Sequence, residues 1–252
     1  RLAENAPSRE AADAIARHAV SSERKEKINA AVELLKYQEG IATDGARFDR
    51  DPMLFNVKNG TIDLRTGKLR PHNADDLITK IVPVEYHPGA RDARWESFLQ
   101  DAVGDEPTIR FMQRAVGYTL TGCTDEEVLF ALLGGTATGK STLADALKGI
   151  SGEYGTVAAF DTFLRRPSGG AGASPEIARL AGLRCVIANE VNEGVALAEG
   201  LIKQLVGGDP IAARHLYRDV FEFRPTFKLW LVANHAPRIS DTDSAMWRRG
   251  RE

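Results

Sequence analysis

The sequence predicts an α/β protein in which a parallel-sheet core is preceded by a smaller α+β domain. Helical and short extended stretches alternate in the first half, whereas buried strands and helices alternate in the second. We place the boundary near residue 121, which gives domains 1–121 and 122–252. Three apolar runs of the second half have the length and the continuous hydrophobicity of parallel strands, at 128–133, 183–188 and 229–233.

The composition is that of a folded globular protein. Of the 252 residues, 43% are hydrophobic and 27% are charged. The longest apolar run, 128–133, is far shorter than the ~18 residues that a membrane-spanning helix requires. Two cysteines exclude a disulfide framework and a cysteine-rich zinc site, and the five histidines show no metal-ligand spacing. We expect no membrane partner and a reducing, cytoplasmic location.

Helices and hairpins are expected in the first half. Residues 1–50 are rich in Ala, Glu, Lys and Arg, which favours helix. Asn59-Gly60 lies between two short apolar runs and strongly predicts a β-hairpin, with a third strand at 68–70. The run 81–86 predicts another extended segment. Residues 91–121 predict two helices.

The glycine-rich segment Gly134–Ser141 carries the most specific motif, with the spacing Gly, four residues, Gly-Lys-Ser. Backbone N–H groups of such a loop converge on phosphate oxygens between a strand and the positive end of a helix. We expect Lys140 to reach the β- and γ-phosphates of ATP and the Ser141 hydroxyl to hold Mg²⁺. The predicted nucleotide contacts are Gly134, Gly135, Thr136, Ala137, Thr138, Gly139, Lys140, Ser141 and Thr142.

An ATP hydrolase with this loop also needs an acid at the end of a neighbouring strand. The apolar run ending at Asn189 leads into Glu190, to which we assign the magnesium ion and the attacking water. Glu193 is an auxiliary candidate. A third apolar run ends at Asn234, which would sense the γ-phosphate or orient the water. An Asn that only caps the next turn would fit the same position.

A basic hairpin is predicted between these two strands. Residues 211–223 alternate in polarity, and the segment from Lys203 to Glu252 has nine Lys or Arg against six Asp or Glu, in a chain of net charge -2. Aromatic and basic side chains together suit a single-stranded nucleic acid, although an edge hairpin with solvating charges explains them too. The candidate contacts are Lys203, Arg214, His215, Tyr217 and Arg218.

The order of these motifs resembles the superfamily 3 helicases, specifically the phage, plasmid and poxvirus-type primase-helicases. The resemblance covers about residues 23–249. Thr138 stands where the family often has Asn. The matching segments are the glycine loop, 182–190 with Glu193-Gly194, Ile202-Lys203 with Gly207-Gly208-Asp209, 233–237, Trp247-Arg248-Arg249 and, upstream, 55–64, Thr66-Gly67, Trp95 and Phe98-Leu99.

The resemblance implies an AAA+-like P-loop core that hydrolyses ATP in a ring, usually hexameric, around single-stranded DNA. It implies that Arg248 or Arg249 completes the ATP site of a neighbouring subunit, and that Lys203, Asp209 and Arg214 lie at or near a DNA-facing hairpin. A primase domain or a replication initiator is a further expected partner, in a phage or plasmid of a bacterial host. Because the chain begins without Met and ends soon after these arginines, we expect a fragment.

Two other classes of function stay open on the residues alone. A P-loop kinase for a small molecule would use lid arginines, and Arg165 and Arg166 lie in a suitable loop. The order Glu190, Asn234, Arg248 argues against it. A non-catalytic remnant would bind nucleotide or DNA without turnover. ATP hydrolysis that DNA stimulates distinguishes a motor from both.

Overall fold

The computed structural model describes residues 6–41, 43–165, 174–189 and 196–237, and the backbone of 250–251. The chain divides into two compact units, Arg1–Phe48 and Asp49–Glu252. The domain boundary predicted near residue 121 falls inside the second unit and stays a prediction. Across the described residues, the helices are all too short or too polar to cross a membrane.

The first unit contains two helices, α1 (Arg9–Ser22) and α2 (Lys25–Leu35). The Ser8 hydroxyl caps α1 by accepting the Ala11 N–H at 3.2 Å, as Ser at this position usually does. Neither helix has a buried residue. The helical character predicted for this region is confirmed.

A three-stranded antiparallel sheet opens the second unit, with strands β1 (Leu54–Val57), β2 (Gly60–Asp63) and β3 (Lys68–Arg70). The predicted hairpin and third strand are confirmed, but the turn lies one residue earlier than Asn59-Gly60. Val57 pairs with Gly60, so Gly60 already belongs to β2. A side chain there would overlap the Arg70 carbonyl of β3, so the close approach of the strands requires glycine.

The extended run predicted at 81–86 forms no regular strand. Val82 makes a single parallel bridge to Val57, and its N–H donates to the Asn56 carbonyl at 2.9 Å. Pro83 has no N–H to continue the pairing. Val82 is nevertheless fully buried and closes the core of the small sheet together with Phe55.

Helices α3 (Ala93–Val103) and α4 (Glu106–Leu120) follow, as predicted. Asp92 caps α3 by accepting the N–H groups of Arg94 and Trp95. Asp105 caps α4 in the same way, and a proline occupies the first turn of α4, where its missing N–H has no cost.

A five-stranded parallel sheet forms the core of the second unit, which confirms the predicted fold class. Its strand order is β10-β4-β9-β6-β5. The edge strand β5 was not predicted, because its sequence Gly-Thr-Val-Ala-Ala has little β propensity. The elements are β4 (Leu129–Leu133), α5 (Lys140–Ser151), β5 (Gly155–Ala159), α6 (Pro175–Ala178), β6 (Cys185–Asn189), α7 (Glu199–Val206), β7 (Ile211–Arg214), β8 (Val220–Phe223), β9 (Lys228–Ala233) and β10 (Gly250–Arg251).

Each face of the parallel sheet has its own apolar core. On one face Phe130, Ile187 and Trp230 pack against side chains of α4 and α5. The Trp230 indole N–H donates to the buried Thr119 hydroxyl of α4 at 3.0 Å, so α4 is held by a hydrogen bond as well as by packing. On the other face Leu229 and the strand residues beside it pack against α6, α7 and the hairpin.

Arg184 is a buried cation that ties the small sheet and α4 to the start of β6. Its guanidinium donates to the Leu120 carbonyl at 2.8 Å and to the Leu54 carbonyl at 2.9 Å, and lies 4.7 Å from the centre of the Tyr154 ring. Burial lowers the pKa of Arg184. Leu120 is the last residue of α4, where the helix dipole is negative and favours a cation.

Lys228 is a second buried cation, at the start of β9. Its ammonium donates to the carbonyls of Thr121 (2.5 Å) and Cys123 (3.0 Å) and lies 4.8 Å from the centre of the Tyr118 ring. Burial away from water lowers the pKa of Lys228 to about 7. Both hydrogen bonds can form in either protonation state, because the neutral amine still carries two N–H donors.

The shifted pKa makes the stability of the fold depend on pH. Above about pH 7 the unfolded chain keeps a proton on Lys228 that the folded chain has released, so the free energy of unfolding rises with pH. We expect a slope approaching about 1.4 kcal/mol per pH unit between roughly pH 7 and 8, below the pKa values of about 8.5 and 10 at which unfolded Cys and Tyr ionise. Urea unfolding at several pH values measures it.

Lys228→Met should remove that slope, because it keeps the length of the side chain and loses the titrating amine. Lys68→Met, at an exposed lysine of β3, is the matched control and should retain it. Equal slopes in the wild type and Lys228→Met would contradict the assignment.

Candidate functional site at the ends of the parallel strands

Three neighbouring strands end together at one edge of the sheet. β4, β9 and β6 are parallel, with Leu133 opposite Ala233 and Asn189 opposite Val232. A cavity of ≈ 530 Å³ lies at this edge. Its lining consists of Thr136, Ala137, Thr138, Gly139, Lys140, Ser141, Thr142, Asn189, Val232, Ala233 and Asn234. The predicted glycine loop and the predicted Asn234 therefore share one cavity.

The backbone of the loop depends on left-handed residues. Gly139 has φ +86° and forms the N-cap of α5, and Ala137 adopts φ 63° although it is not glycine. The Thr138 hydroxyl donates to the Gly135 carbonyl at 3.0 Å and closes the turn between them. The loop thus wraps around the N-terminus of the helix.

Lys140 directs its charge into this loop. Its ammonium donates to the Gly134 and Gly135 carbonyls, both at 2.6 Å, and reaches the Thr138 hydroxyl at 3.3 Å. Gly139 offers no side-chain cap, so the first N–H groups of α5 face the cavity without a side-chain acceptor. An ammonium, a Ser141 hydroxyl and helix N-terminal N–H groups are a donor set that fits a polyphosphate and its metal ion.

Two carboxamides face the loop from the strand ends. Asn234 follows β9 and Asn189 ends β6, and both are exposed to the cavity. Within the described residues neither side chain makes a hydrogen bond. Asn189 was noted in the sequence only as the residue before Glu190, and its position at the strand end was the signal for its place in the site.

The other predicted catalytic residues lie outside the described residues. These are Glu190, which directly follows Asn189, its auxiliary Glu193, and the arginines Arg248 and Arg249. Their roles stay predictions. Among the residues that the structure describes, no group of three His, Cys, Asp or Glu could hold a metal ion. Of the two predicted magnesium contacts, Ser141 lines the cavity and Glu190 is outside the described residues.

The predicted hairpin is confirmed as β7 and β8, with Arg214 opposite Val220. The five-residue tip carries His215, Tyr217 and Arg218. Tyr217 is fully exposed, whereas the His215 ring stacks on Phe221 of β8 at a centroid distance of 5.2 Å. Lys203 lies in the last turn of α7 rather than on the hairpin. Contact of these residues with nucleic acid stays a prediction.

Two family models match successive parts of the chain. Residues 1–104 match "D5 N terminal like", and residues 132–249 match "Family of unknown function (DUF5906)". A protein of Acanthamoeba polyphaga mimivirus, named "Putative helicase", is 28% identical over 249 residues, covering 90% of this chain and 26% of the relative. A Frog virus 3 (isolate Goorha) protein, also named a putative helicase, is 28% identical over 276 residues, covering 82% of this chain and 28% of the relative.

The fold is also found in solved structures. Two apo structures of the NrS-1 C terminal region superpose with TM-scores of 0.53 and 0.51, each at 17% identity. They cover 87% of this chain and 51% and 50% of the respective structures. The family models, the viral relatives and the fold support the predicted resemblance to the phage and viral superfamily 3 primase-helicases. It spans about a quarter of the length of these viral relatives.

Replacement of Gly139 tests the geometry of the loop. A Cβ there would lie 2.9 Å from Cε2 of Phe98, and the substituted residue would have to keep the backbone at φ +86°. We expect Gly139→Ala to lower the free energy of unfolding by about 2 kcal/mol, from backbone strain and overlap together. Gly135→Ala is the matched control, since a Cβ at Gly135 meets nothing within 4 Å. Equal unfolding midpoints in urea for the two variants would contradict the loop geometry.

Proposed function

We propose that this chain is the ATP-hydrolysing motor of a DNA helicase that moves on single-stranded DNA in phage or plasmid replication. The observation that carries the proposal is the cavity shared by residues 136–142 of the glycine loop and Asn234. A loop that binds phosphate and a polar residue on a neighbouring strand are the two parts that must meet for the γ-phosphate to react.

ATP would bind with its triphosphate against the loop. The N–H groups at the start of α5 and the Lys140 ammonium supply positive charge to the β- and γ-phosphates. Ser141 and Glu190 would hold Mg²⁺, which when bound neutralises charge on the phosphates. Because Lys140 already contacts the loop carbonyls, its charge is held where the phosphates must lie.

Hydrolysis would use the strand ends. Glu190 polarises the attacking water, and the Asn234 carboxamide orients that water toward the γ-phosphate. Arg248 or Arg249 from a neighbouring subunit would stabilise the charge that develops in the transition state. This last role requires an oligomer, which we propose to be a hexameric ring around the DNA.

The hairpin would connect hydrolysis to the DNA. Arg214 and Arg218 place positive charge beside an exposed aromatic ring, which suits a single strand whose bases stack and whose phosphates are negative. Lys203 lies on α7, one element before the hairpin in the chain. The segment from Lys203 to Arg218 would move with the nucleotide state and carry the strand with it.

ATP hydrolysis with and without single-stranded DNA tests the proposal. We expect DNA to stimulate the wild type, and Lys140→Ala to reduce the stimulated rate at least ~100-fold, because it removes charge from the phosphate site. Asn234→Ala, at an exposed residue, should reduce turnover while ATP still binds. A rate that is independent of DNA and of Lys140 would contradict the motor.

Tyr217→Ala tests the hairpin. We expect it to weaken binding of a fluorescent single-stranded oligonucleotide about tenfold, the effect of losing one base-stacking contact. Tyr37→Ala removes a comparably exposed tyrosine (83%) from the first unit and should leave the affinity unchanged. Equal affinities for the two variants would exclude Tyr217 from the DNA-binding surface.

A further inference from the structure

An aromatic pair on α3 lies directly against the glycine loop. A Cβ on Gly139 would lie 2.9 Å from Cε2 of Phe98 and 3.1 Å from Cβ of Ala102, so these side chains rest on the backbone of the loop. Trp95, one turn earlier, stacks on Phe98 with ring centroids 5.2 Å apart and an interplanar angle of 29°. The Trp95 side chain is 38% exposed. The proposed hydrolytic mechanism uses none of these residues.

This pair and the asparagines reach the loop from different elements. Helix α5 contacts β5, β6 and β9, and the two asparagines come from β6 and β9. Helix α4 packs Phe111 on Phe130 of β4 and is bonded to Trp230 of β9, and α3 contacts α4. The aromatic pair therefore borders the loop at Gly139 from α3, whereas the carboxamides line the cavity from the ends of β6 and β9.

We propose that Trp95 is the stacking platform for the base of a nucleoside triphosphate, and that Phe98 positions the indole beside the loop. This inference rests on the proposed function: with the γ-phosphate toward Asn234, the nucleoside leaves the loop on the side of α3. The Phe98 ring alone fills the space beside Gly139, so packing against the loop does not require Trp95. The partly exposed Trp95 face is left to meet a flat ligand.

The chemistry of stacking defines the ligand class. Every base has a π-face, and an indole attracts it without reading its hydrogen-bonding edge. ATP and GTP should therefore both gain affinity from Trp95. Inorganic tripolyphosphate, which presents the phosphates without a base, should gain none.

Calorimetric titration of ATP and of inorganic tripolyphosphate, each with Mg²⁺, tests the platform. We expect Trp95→Ala to lower the affinity for ATP about tenfold and to leave the affinity for tripolyphosphate unchanged, because only the stacking contact is lost. Trp95→Phe keeps an aromatic face and should recover most of the ATP affinity. Lys140→Ala should weaken both ligands, which reports on the phosphate site separately.

Two results would overturn the inference while the ATP site stands. One is a Trp95→Ala variant that binds ATP with wild-type affinity. The other is a Trp95→Ala variant in which the affinities for ATP and for tripolyphosphate fall equally, which would show a structural effect on the loop. Unchanged urea unfolding of Trp95→Ala confirms that the variant folds. Tryptophan emission that ATP changes in the wild type but not in Trp95→Phe would support the contact directly. If neither ligand binds the wild type, the proposed function fails and the inference fails with it.

Discussion

The parallel pairing of β4, β9 and β6 is the constraint on which the rest of the structure depends. The carboxyl ends of parallel strands lie at the same edge of the sheet. The loop after β4 therefore meets the polar residues at the ends of β6 and β9, although these segments are far apart in the sequence. Their strand order puts β9 between the other two, and Asn234 therefore lies between the glycine loop and Asn189. A shift of one residue in this register would exchange side chains between the two buried faces of the sheet and misalign the strand ends that form the site.

Two buried cations attach the parallel sheet to the elements that precede it in the chain. Arg184 directly precedes β6 and Lys228 begins β9, and both donate to carbonyls at the end of α4. Because α3 contacts α4, the same attachment places Phe98 against Gly139 at the opposite end of the strands. The cations are thus structural, yet they bear on the site, since they fix the helix pair that borders the phosphate loop.

Local patterns in the sequence were sufficient for much of this. The glycine loop, the three apolar strands and the hairpin at 211–223 each carry a continuous signal, and each was found. The strand β5 has weak propensity and is stabilised by pairing with β6, which no local window contains. Pro83 interrupts strand pairing in the segment 81–86, which is held in place by burial of Val82 and not by a local pattern. The contact between Phe98 and Gly139 joins residues 41 positions apart, so no local pattern predicts it either.

The most direct test of the account is a crystal structure of this chain with Mg²⁺ and a non-hydrolysable ATP analogue. The account predicts the triphosphate against the Lys140 ammonium and the N–H groups at the start of α5, with the γ-phosphate on the side of Asn234. A nucleotide bound elsewhere, or bound in the loop with its γ-phosphate turned away from the ends of β6 and β9, would contradict it.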